Sequence, residues 1–172
     1  MLSQTGSNNR QMGNGLISLT TGILVALAMA FCTMPGRAGA PAPDPWQATQ
    51  LIQPEGLAKA LALPAGDRPI VLFVGFDVLY QGGHIVGSRP TGPTAKPAGV
   101  QGLIRALQAI PQDREVVLYC GCCPWTDCPN IRPAFRTAQE AGFKHVQVLV
   151  LPKSFQQDWI AKGLPIGTGE AK

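Results

Sequence analysis

The fold is decided by one stretch of the chain, Val116-Val117-Leu118-Tyr119-Cys120-Gly121-Cys122-Cys123-Pro124-Trp125-Thr126-Asp127-Cys128-Pro129-Asn130-Ile131-Arg132-Pro133. A short apolar, β-branched run ends on Cys120, a loop with three more cysteines follows, and a helical segment comes next. A strand that delivers a thiol to the N-terminus of a helix places it near unpaired backbone N–H groups and the positive end of the helix dipole. Such a setting lowers the pKa of a cysteine, and the thiolate is the nucleophile. The sequence therefore predicts a reactive thiolate at Cys120.

The rest of the chain alternates strands with helices. Continuous apolar runs, typical of parallel strands buried on both faces, precede and follow the strand that ends on Cys120. The predicted strands are 69–75, 115–119 and 144–151, and the predicted helices are 54–61, 99–110, 131–141 and 155–162. Residues 76–97 predict a long loop rich in glycine and proline, with a short strand inside it as an alternative. This alternation predicts an α/β domain with a central, mainly parallel sheet flanked by helices. Ligands of such sheets bind at the carboxyl ends of the strands, where Cys120 lies.

Length and charge limit the class of protein. The chain has 172 residues, and only the part after about residue 45 looks globular, which is enough for one domain. Residues 41–50 are rich in proline and alanine and predict a linker, residues 51–167 predict the domain, and residues 168–172 predict a tail. The formal net charge of +4 is small and its basic residues are scattered. The composition therefore argues against nucleic-acid binding.

Residues 1–40 have the pattern of a secretory signal peptide. Arg10 gives a positive start, residues 16–31 form an uncharged apolar core, and Ala38-Gly39-Ala40 fits the cleavage pattern. An uncleaved membrane anchor is the alternative, although the apolar run is short for a span. Lipid attachment at Cys32 is a weaker third interpretation. Each of the three exports the domain, so we expect a periplasmic protein, which contacts the membrane only if the N-terminal segment stays uncleaved and anchors it facing the periplasm.

The distribution of the cysteines indicates chemistry. Of the five in the chain, Cys32 belongs to the N-terminal segment, and the other four fall between residues 120 and 128. An exported disulfide scaffold usually spreads its cysteines to join distant loops. A cluster in one loop favours catalysis, a local disulfide or a metal site.

Four motifs carry a resemblance to a known family. Gly83-His84-Ile85-Val86-Gly87-Ser88 is similar to a G-H-I-P-G-A segment, and Val116-Val117-Leu118-Tyr119-Cys120 to a strand that ends on a catalytic cysteine. Ala141-Gly142-Phe143-Lys144-His145-Val146 is similar to A-G-F-x-x-V, and residues 159–166 to a closing W-x-x-x-G-x-P-V. In their order and spacing, these motifs make residues 50–167 resemble the rhodanese-like domains. The resemblance implies a three-layer α/β domain.

The resemblance also implies a reaction. Rhodanese-like enzymes take sulfane sulfur from a donor such as thiosulfate, hold it as a cysteine persulfide and pass it to a thiophilic acceptor such as cyanide or a thiol. Carried onto this chain, the nucleophile is Cys120, and Arg132 is the candidate that holds the anionic donor. The loop residues that would surround the donor are Gly121, Cys122, Cys123 and Trp125. The resemblance implies a small-molecule donor, a thiol acceptor and no cofactor.

The active loop departs from the family pattern. It is several residues longer than the family's tight cradle, and the extra length holds Cys122, Cys123 and Cys128. These three cysteines have three open interpretations: resolving thiols that attack an oxidised Cys120, a local disulfide such as Cys123–Cys128, or thiolate ligands that join Cys120 in binding Cu(I) or zinc. The spacing matches no common zinc pattern. Asp127 is predicted to cap the helix that follows.

Three functions therefore remain open. The first is a sulfurtransferase that uses Cys120. The second is a periplasmic thiol–disulfide redox protein that pairs Cys120 with one of its neighbours. The third is a non-catalytic domain that binds a metal or a partner. The sequence does not predict an oligomeric state.

Overall fold

The computed structural model of the protein describes residues 43–169. The predicted signal peptide lies outside the described residues, and so do residues 170–172 of the predicted tail. Within residues 43–169, no helix combines the length and the apolar character that crossing a membrane requires.

Within the described residues, seven strands form one parallel sheet and one short antiparallel ribbon. They are β1 (Leu51–Ile52), β2 (Ile70–Phe73), β3 (His84–Ile85), β4 (Arg89–Pro90), β5 (Val116–Tyr119), β6 (Val146–Leu149) and β7 (Ile166–Gly167). The five-stranded sheet has the order β1-β6-β5-β2-β4, with every pair parallel, and β3 pairs with β7 in the ribbon. The predicted parallel sheet is confirmed. β5 is the central strand, so the residues that follow it emerge at the middle of the sheet edge.

Helices cover both faces of the sheet. They are α1 (Pro54–Leu61), α2 (Asp77–Gly82), α3 (Pro97–Gln108), α4 (Ile131–Glu140) and α5 (Phe155–Asp158), and three single 3₁₀ turns lie at Ala48–Gln50, Trp125–Asp127 and Ile160–Lys162. Buried residues of α3 and α4 share one apolar core, and those of α1, α2 and α5 share the other. The predicted three-layer α/β arrangement is therefore present.

The alternation of side chains along β5 explains its continuous apolar sequence. Val116, Leu118 and Cys120 point into the core beneath α3 and α4, whereas Val117 and Tyr119 point into the core on the opposite face. Successive residues of a strand face opposite sides of the sheet. A strand covered on both sides must therefore be apolar at every position, and this places the Cys120 thiol on the α3/α4 side.

Part of the predicted linker packs against the predicted domain. The described part of the predicted linker contains a 3₁₀ turn, and Trp46 is only 8% exposed. The Trp46 ring packs edge-on against Phe135 of α4, with ring centroids 5.5 Å apart, and lies 5.7 Å from the ring of Trp125. This segment is held against the domain because an indole among these rings removes a large apolar area from water.

The long loop predicted for residues 76–97 contains regular structure. It holds α2, β3 and β4, and β4 extends the parallel sheet beside β2. The sequence does not reveal these elements because two-residue strands and a six-residue helix are too short to show a hydrophobic period.

Candidate active site

The loop after β5 begins with Cys120, which is 3% exposed. It continues through the 3₁₀ turn to Asn130, the residue that precedes α4. Two backbone hydrogen bonds fasten the loop to the segment after β6: Trp125 N–H donates to Leu151 O at 3.0 Å, and Phe155 N–H donates to Gly121 O at 3.1 Å. These two bonds hold the loop on both sides of Cys122 and Cys123.

Gly121 makes the sharp exit from the strand. Its φ of +85° lies in the left-handed region, and a Cβ at this position would stand 2.7 Å from Phe155 Cβ. Real side chains do not approach so closely, and a left-handed φ is costly for any residue with a Cβ. Gly121 thus lets the loop pack directly against α5. Its predicted substrate-binding role stays a prediction.

Three of the four sulfurs converge. Cys120 Sγ lies 3.3 Å from Cys122 Sγ, and Cys122 Sγ lies 3.3 Å from Cys123 Sγ. The sulfurs of Cys120, Cys122 and Cys128 all lie within 4.8 Å of one another. The four loop cysteines are free thiols in the structure, and the Cys123–Cys128 disulfide considered from the sequence stays a prediction. Cys120, Cys122 and Cys128 are called the thiol cluster below.

The thiol cluster has the geometry for exchange between sulfurs. It is also compact enough for three thiolates to share one soft metal ion, which thiolates select. Cys123 lies outside this group of three. The structure therefore reduces the four candidate metal ligands considered from the sequence to Cys120, Cys122 and Cys128.

The charge of the cluster belongs to Cys128 rather than to Cys120. The pKa of Cys128 is lowered to about 6, first by its interaction with the neighbouring Cys120 thiol and then by the backbone N–H groups of Asn130 and Ile131, with burial opposing the shift. The pKa of Cys120 is raised, first by its hydrogen bond with Cys128 and then by burial. The sequence predicts the lowered pKa at Cys120. The helix-mouth N–H groups instead point at Cys128, which immediately precedes Pro129 and Asn130.

Cys123 contacts the thiol cluster through Cys122 but lies outside the three converging sulfurs. Burial, followed by interactions with Cys122 and Cys128, raises the pKa of Cys123 to about 12. Its side chain packs against the α3/α4 core together with Trp125. Cys123 is therefore held as a neutral thiol.

Asn130 is a site residue that the sequence analysis missed. It is 1% exposed, its Oδ1 accepts a hydrogen bond from Ala95 N–H at 2.9 Å, and its Nδ2 donates to Cys120 Sγ at 3.4 Å. Asn130, not the predicted Asp127, occupies the N-cap position of α4, and its side chain makes no capping bond. An asparagine directly before a predicted helix could have been recognised as an N-cap candidate in the sequence. Its contact with Cys120 could not, because that contact depends on the fold of the loop.

Arg132 is engaged away from the sulfurs. Its Nε donates to Asp44 Oδ1 at 2.8 Å, another guanidinium nitrogen donates to Thr126 O at 2.8 Å, and the group lies 5.6 Å from the centre of the Trp46 ring. None of its described hydrogen bonds reaches a cysteine. Its role in holding an anionic donor stays a prediction, and Asp44 competes for the same guanidinium.

Trp125 packs beside Trp46 against the α3/α4 core. It does not line the cleft next to Cys120. Its predicted contact with a substrate stays a prediction, whereas its packing within the loop is seen in the structure.

A cleft of about 260 Å³ opens beside Cys120. The apolar side chains of Val78, Leu79, Phe155 and Ile160 contribute to its lining, and Cys120 is the one cysteine that lines it. Among residues 43–169, no charged side chain lines this cleft. A ligand there would meet Cys120, the polar side chain of Gln156, glycine backbone and apolar walls.

Solved structures of known proteins share this fold. The rhodanese-like domain of the Alr3790 protein from Anabaena sp. matches in its solution NMR structure with a TM-score of 0.51 and 22% identity, covering 69% of this chain and 79% of that one. The crystal structure of the Alr3790 protein matches with a TM-score of 0.51 and 23% identity, covering 68% of this chain and 82% of that one.

A thiosulfate sulfurtransferase from Pseudomonas aeruginosa matches with a TM-score of 0.50 and 26% identity over 71% of this chain. The match covers 20% of that protein, so this chain corresponds to a fraction of it. No protein-family model matches the chain, and neither does any curated protein. The strand order, the thiol after the central strand and these likenesses show that the chain has the rhodanese-like fold.

Proposed function

We propose that the protein is a sulfurtransferase-type enzyme that forms a persulfide on Cys120. It takes sulfane sulfur from a thiosulfate-like donor and passes it to a thiophilic acceptor. The observation that carries this proposal is the place of Cys120, which follows the central strand and is the one residue among the four loop cysteines that contributes to the lining of the cleft. The structural likeness to a thiosulfate sulfurtransferase supports it at the level of fold.

The thiol cluster can supply the proton transfer that the attack requires. The sulfurs of Cys120 and Cys128 lie within 4.8 Å of each other, and the pKa of Cys128 is lowered whereas that of Cys120 is raised, so Cys128 is the better proton acceptor of the two. As the Cys120 sulfur attacks the sulfane sulfur, its proton passes to Cys128. A new S–S bond forms on Cys120, the S–S bond of thiosulfate breaks, and sulfite leaves with the electron pair.

Hydrogen-bond donors near Cys120 favour a negative sulfur there. Asn130 Nδ2 donates to Cys120 Sγ, and the backbone N–H of Cys122 also points at it. Hydrogen bonds to an ionised group are stronger than neutral ones. These dipoles would stabilise both the attacking thiolate and the persulfide anion that follows.

Sulfite release tests the proposal. Fully reduced, desalted protein is mixed anaerobically with thiosulfate, and sulfite is measured per chain. We expect release that is lost in Cys120→Ser and kept in Cys123→Ser, a matched control because Cys123 lies outside the thiol cluster. If Cys120→Ser releases as much sulfite as the wild type, the proposal is wrong.

A thiol–disulfide redox protein is the second candidate. The 3.3 Å contact between the sulfurs of Cys120 and Cys122 favours it. Export, which we propose from residues 1–40 alone, would place this pair in an oxidising compartment. The reduction potential of the pair tests this candidate, since a catalytic disulfide has a potential near the compartment's own and a structural disulfide has a much lower one.

A further inference from the structure

Cys122 is an exposed neighbour of Cys120. Its sulfur lies 3.3 Å from Cys120 Sγ, yet Cys122 does not line the cleft that Cys120 lines. Cys122 is exposed, whereas Cys120 and Cys128 are buried. Cys122 is therefore an exposed thiol in contact with Cys120 Sγ, and it is not part of the cleft lining.

We propose that Cys122 resolves the Cys120 persulfide, closing a Cys120–Cys122 disulfide and releasing sulfide. This inference rests on the proposed persulfide chemistry and names its acceptor as a thiol of the same loop. The protein would then act as a dithiol-dependent reductase of sulfane sulfur, and the final electron donor would be an external thiol or dithiol.

The step balances in atoms and electrons. Cys122 sulfur attacks Cys120 Sγ, so a bond forms between the two cysteine sulfurs and the bond from Cys120 Sγ to the sulfane sulfur breaks. The departing sulfur takes that electron pair and the proton of Cys122, and leaves as hydrosulfide. The two cysteines are oxidised to a disulfide, and the sulfane sulfur from the donor is reduced to sulfide. An external dithiol then reduces the disulfide by exchange.

The sulfurs of Cys120 and Cys122 need to move only a short distance to form a disulfide bond. A disulfide has an S–S length of about 2.05 Å, and the two sulfurs already stand 3.3 Å apart. Residues 121 and 122 belong to a loop rather than to a strand or helix. The remaining movement therefore does not disturb the β5 ladder.

The other two cysteines are less suited to this role. Cys128 is 1% exposed and its thiolate is held by the N–H groups of Asn130 and Ile131, so a disulfide through Cys128 would be closed in the core and shielded from external reductants. Cys123 contacts Cys122 rather than Cys120 and lies outside the group of converging sulfurs. Cys122 alone combines contact with Cys120 and exposure to solvent.

The test follows the transferred sulfur in a single turnover. Reduced, desalted full-length chains of the wild type, Cys122→Ser, Cys123→Ser and Cys128→Ser are mixed anaerobically with thiosulfate. Sulfite, sulfide and intact mass are measured, and the modified cysteines are mapped on peptides. Cys122 is exposed, so its substitution by serine leaves the packing of the core unchanged.

We expect the wild type and Cys123→Ser to release equal amounts of sulfite and sulfide and to lose two hydrogen atoms in a Cys120–Cys122 disulfide. Cys122→Ser should release the same sulfite, no sulfide, and keep one added sulfur on Cys120 that cyanide removes. Sulfide release by Cys122→Ser at the wild-type level would overturn the inference. So would a wild-type disulfide that maps to Cys128, because the resolving thiol would then be another one. Absence of sulfite from every variant would instead refute the proposed function.

Discussion

Replacing Gly121 by alanine should destabilise the domain through two separable effects. A residue with a Cβ at the φ of +85° found here pays about 1–2 kcal/mol for the left-handed backbone. The added Cβ would also stand 2.7 Å from Phe155 Cβ, and forcing extra volume into a packed contact costs about 1–3 kcal/mol more. We therefore expect Gly121→Ala to lower the free energy of unfolding by about 2–5 kcal/mol.

Gly87→Ala is the matched control because it isolates the backbone effect. Gly87 also has a left-handed φ, +77°, but no atom lies within 4 Å of the Cβ it would gain. Its expected loss is about 1–2 kcal/mol. Both variants and the wild type are unfolded in urea under reducing conditions. Their free energies of unfolding are compared after checking that the slope of free energy against urea concentration is the same for all three. Equal losses for the two variants would refute the argument that Phe155 is packed rigidly against Gly121.

Three further outcomes follow from the site. Because the pKa of Cys128 is lowered, its thiolate should persist at neutral pH, and its ultraviolet thiolate absorbance should be lost only as the pH falls through about 6. The stability that the lowered pKa contributes should be complete above the ordinary thiol value of 9.0, decline as the pH falls, and be gone below about 6, and Cys128→Ser should remove this dependence. Val78→Arg places a cation on the uncharged cleft at a residue that is 72% exposed, so the KM for thiosulfate should fall about fivefold, or roughly 1 kcal/mol. Leu63→Arg, exposed but outside the cleft lining, should leave that KM unchanged. Asn130→Ala removes the acceptor of the Ala95 N–H hydrogen bond, and it should lower the free energy of unfolding in urea by about 1–3 kcal/mol. A loss of less than half of that would show that water replaces the bond.

The sequence was sufficient for the central part of the fold. β2, β5 and β6 are apolar at nearly every position because the sheet is covered on both faces, and that pattern is read without knowledge of any neighbour. The position of Cys120 after the central strand follows from the same pattern. The short strands and α2 were missed because their pairing, and not their local sequence, makes them regular.

The electrostatics of the site could not be derived from the sequence. The identity of the thiolate depends on which cysteine the N–H groups of Asn130 and Ile131 face, and that is decided by the path of an irregular loop. The engagement of Arg132 depends on Asp44, which lies 88 residues earlier in a segment predicted to be a linker. Contacts between residues so far apart in the sequence leave no periodic pattern from which they could be predicted.

These observations bring the sulfurtransferase and the redox interpretations together on one sulfur atom. Cys120 contributes to the cleft lining and its sulfur contacts Cys122, and under the proposed function buried Cys128 accepts its proton. A single-thiol enzyme would need only the cleft, and a simple redox pair would need only the two adjacent sulfurs. A loop that provides both allows oxidation by a sulfane-sulfur donor and reduction by an external thiol to occur in sequence. Under this proposal, the added cysteines extend the persulfide reaction to the release of sulfide.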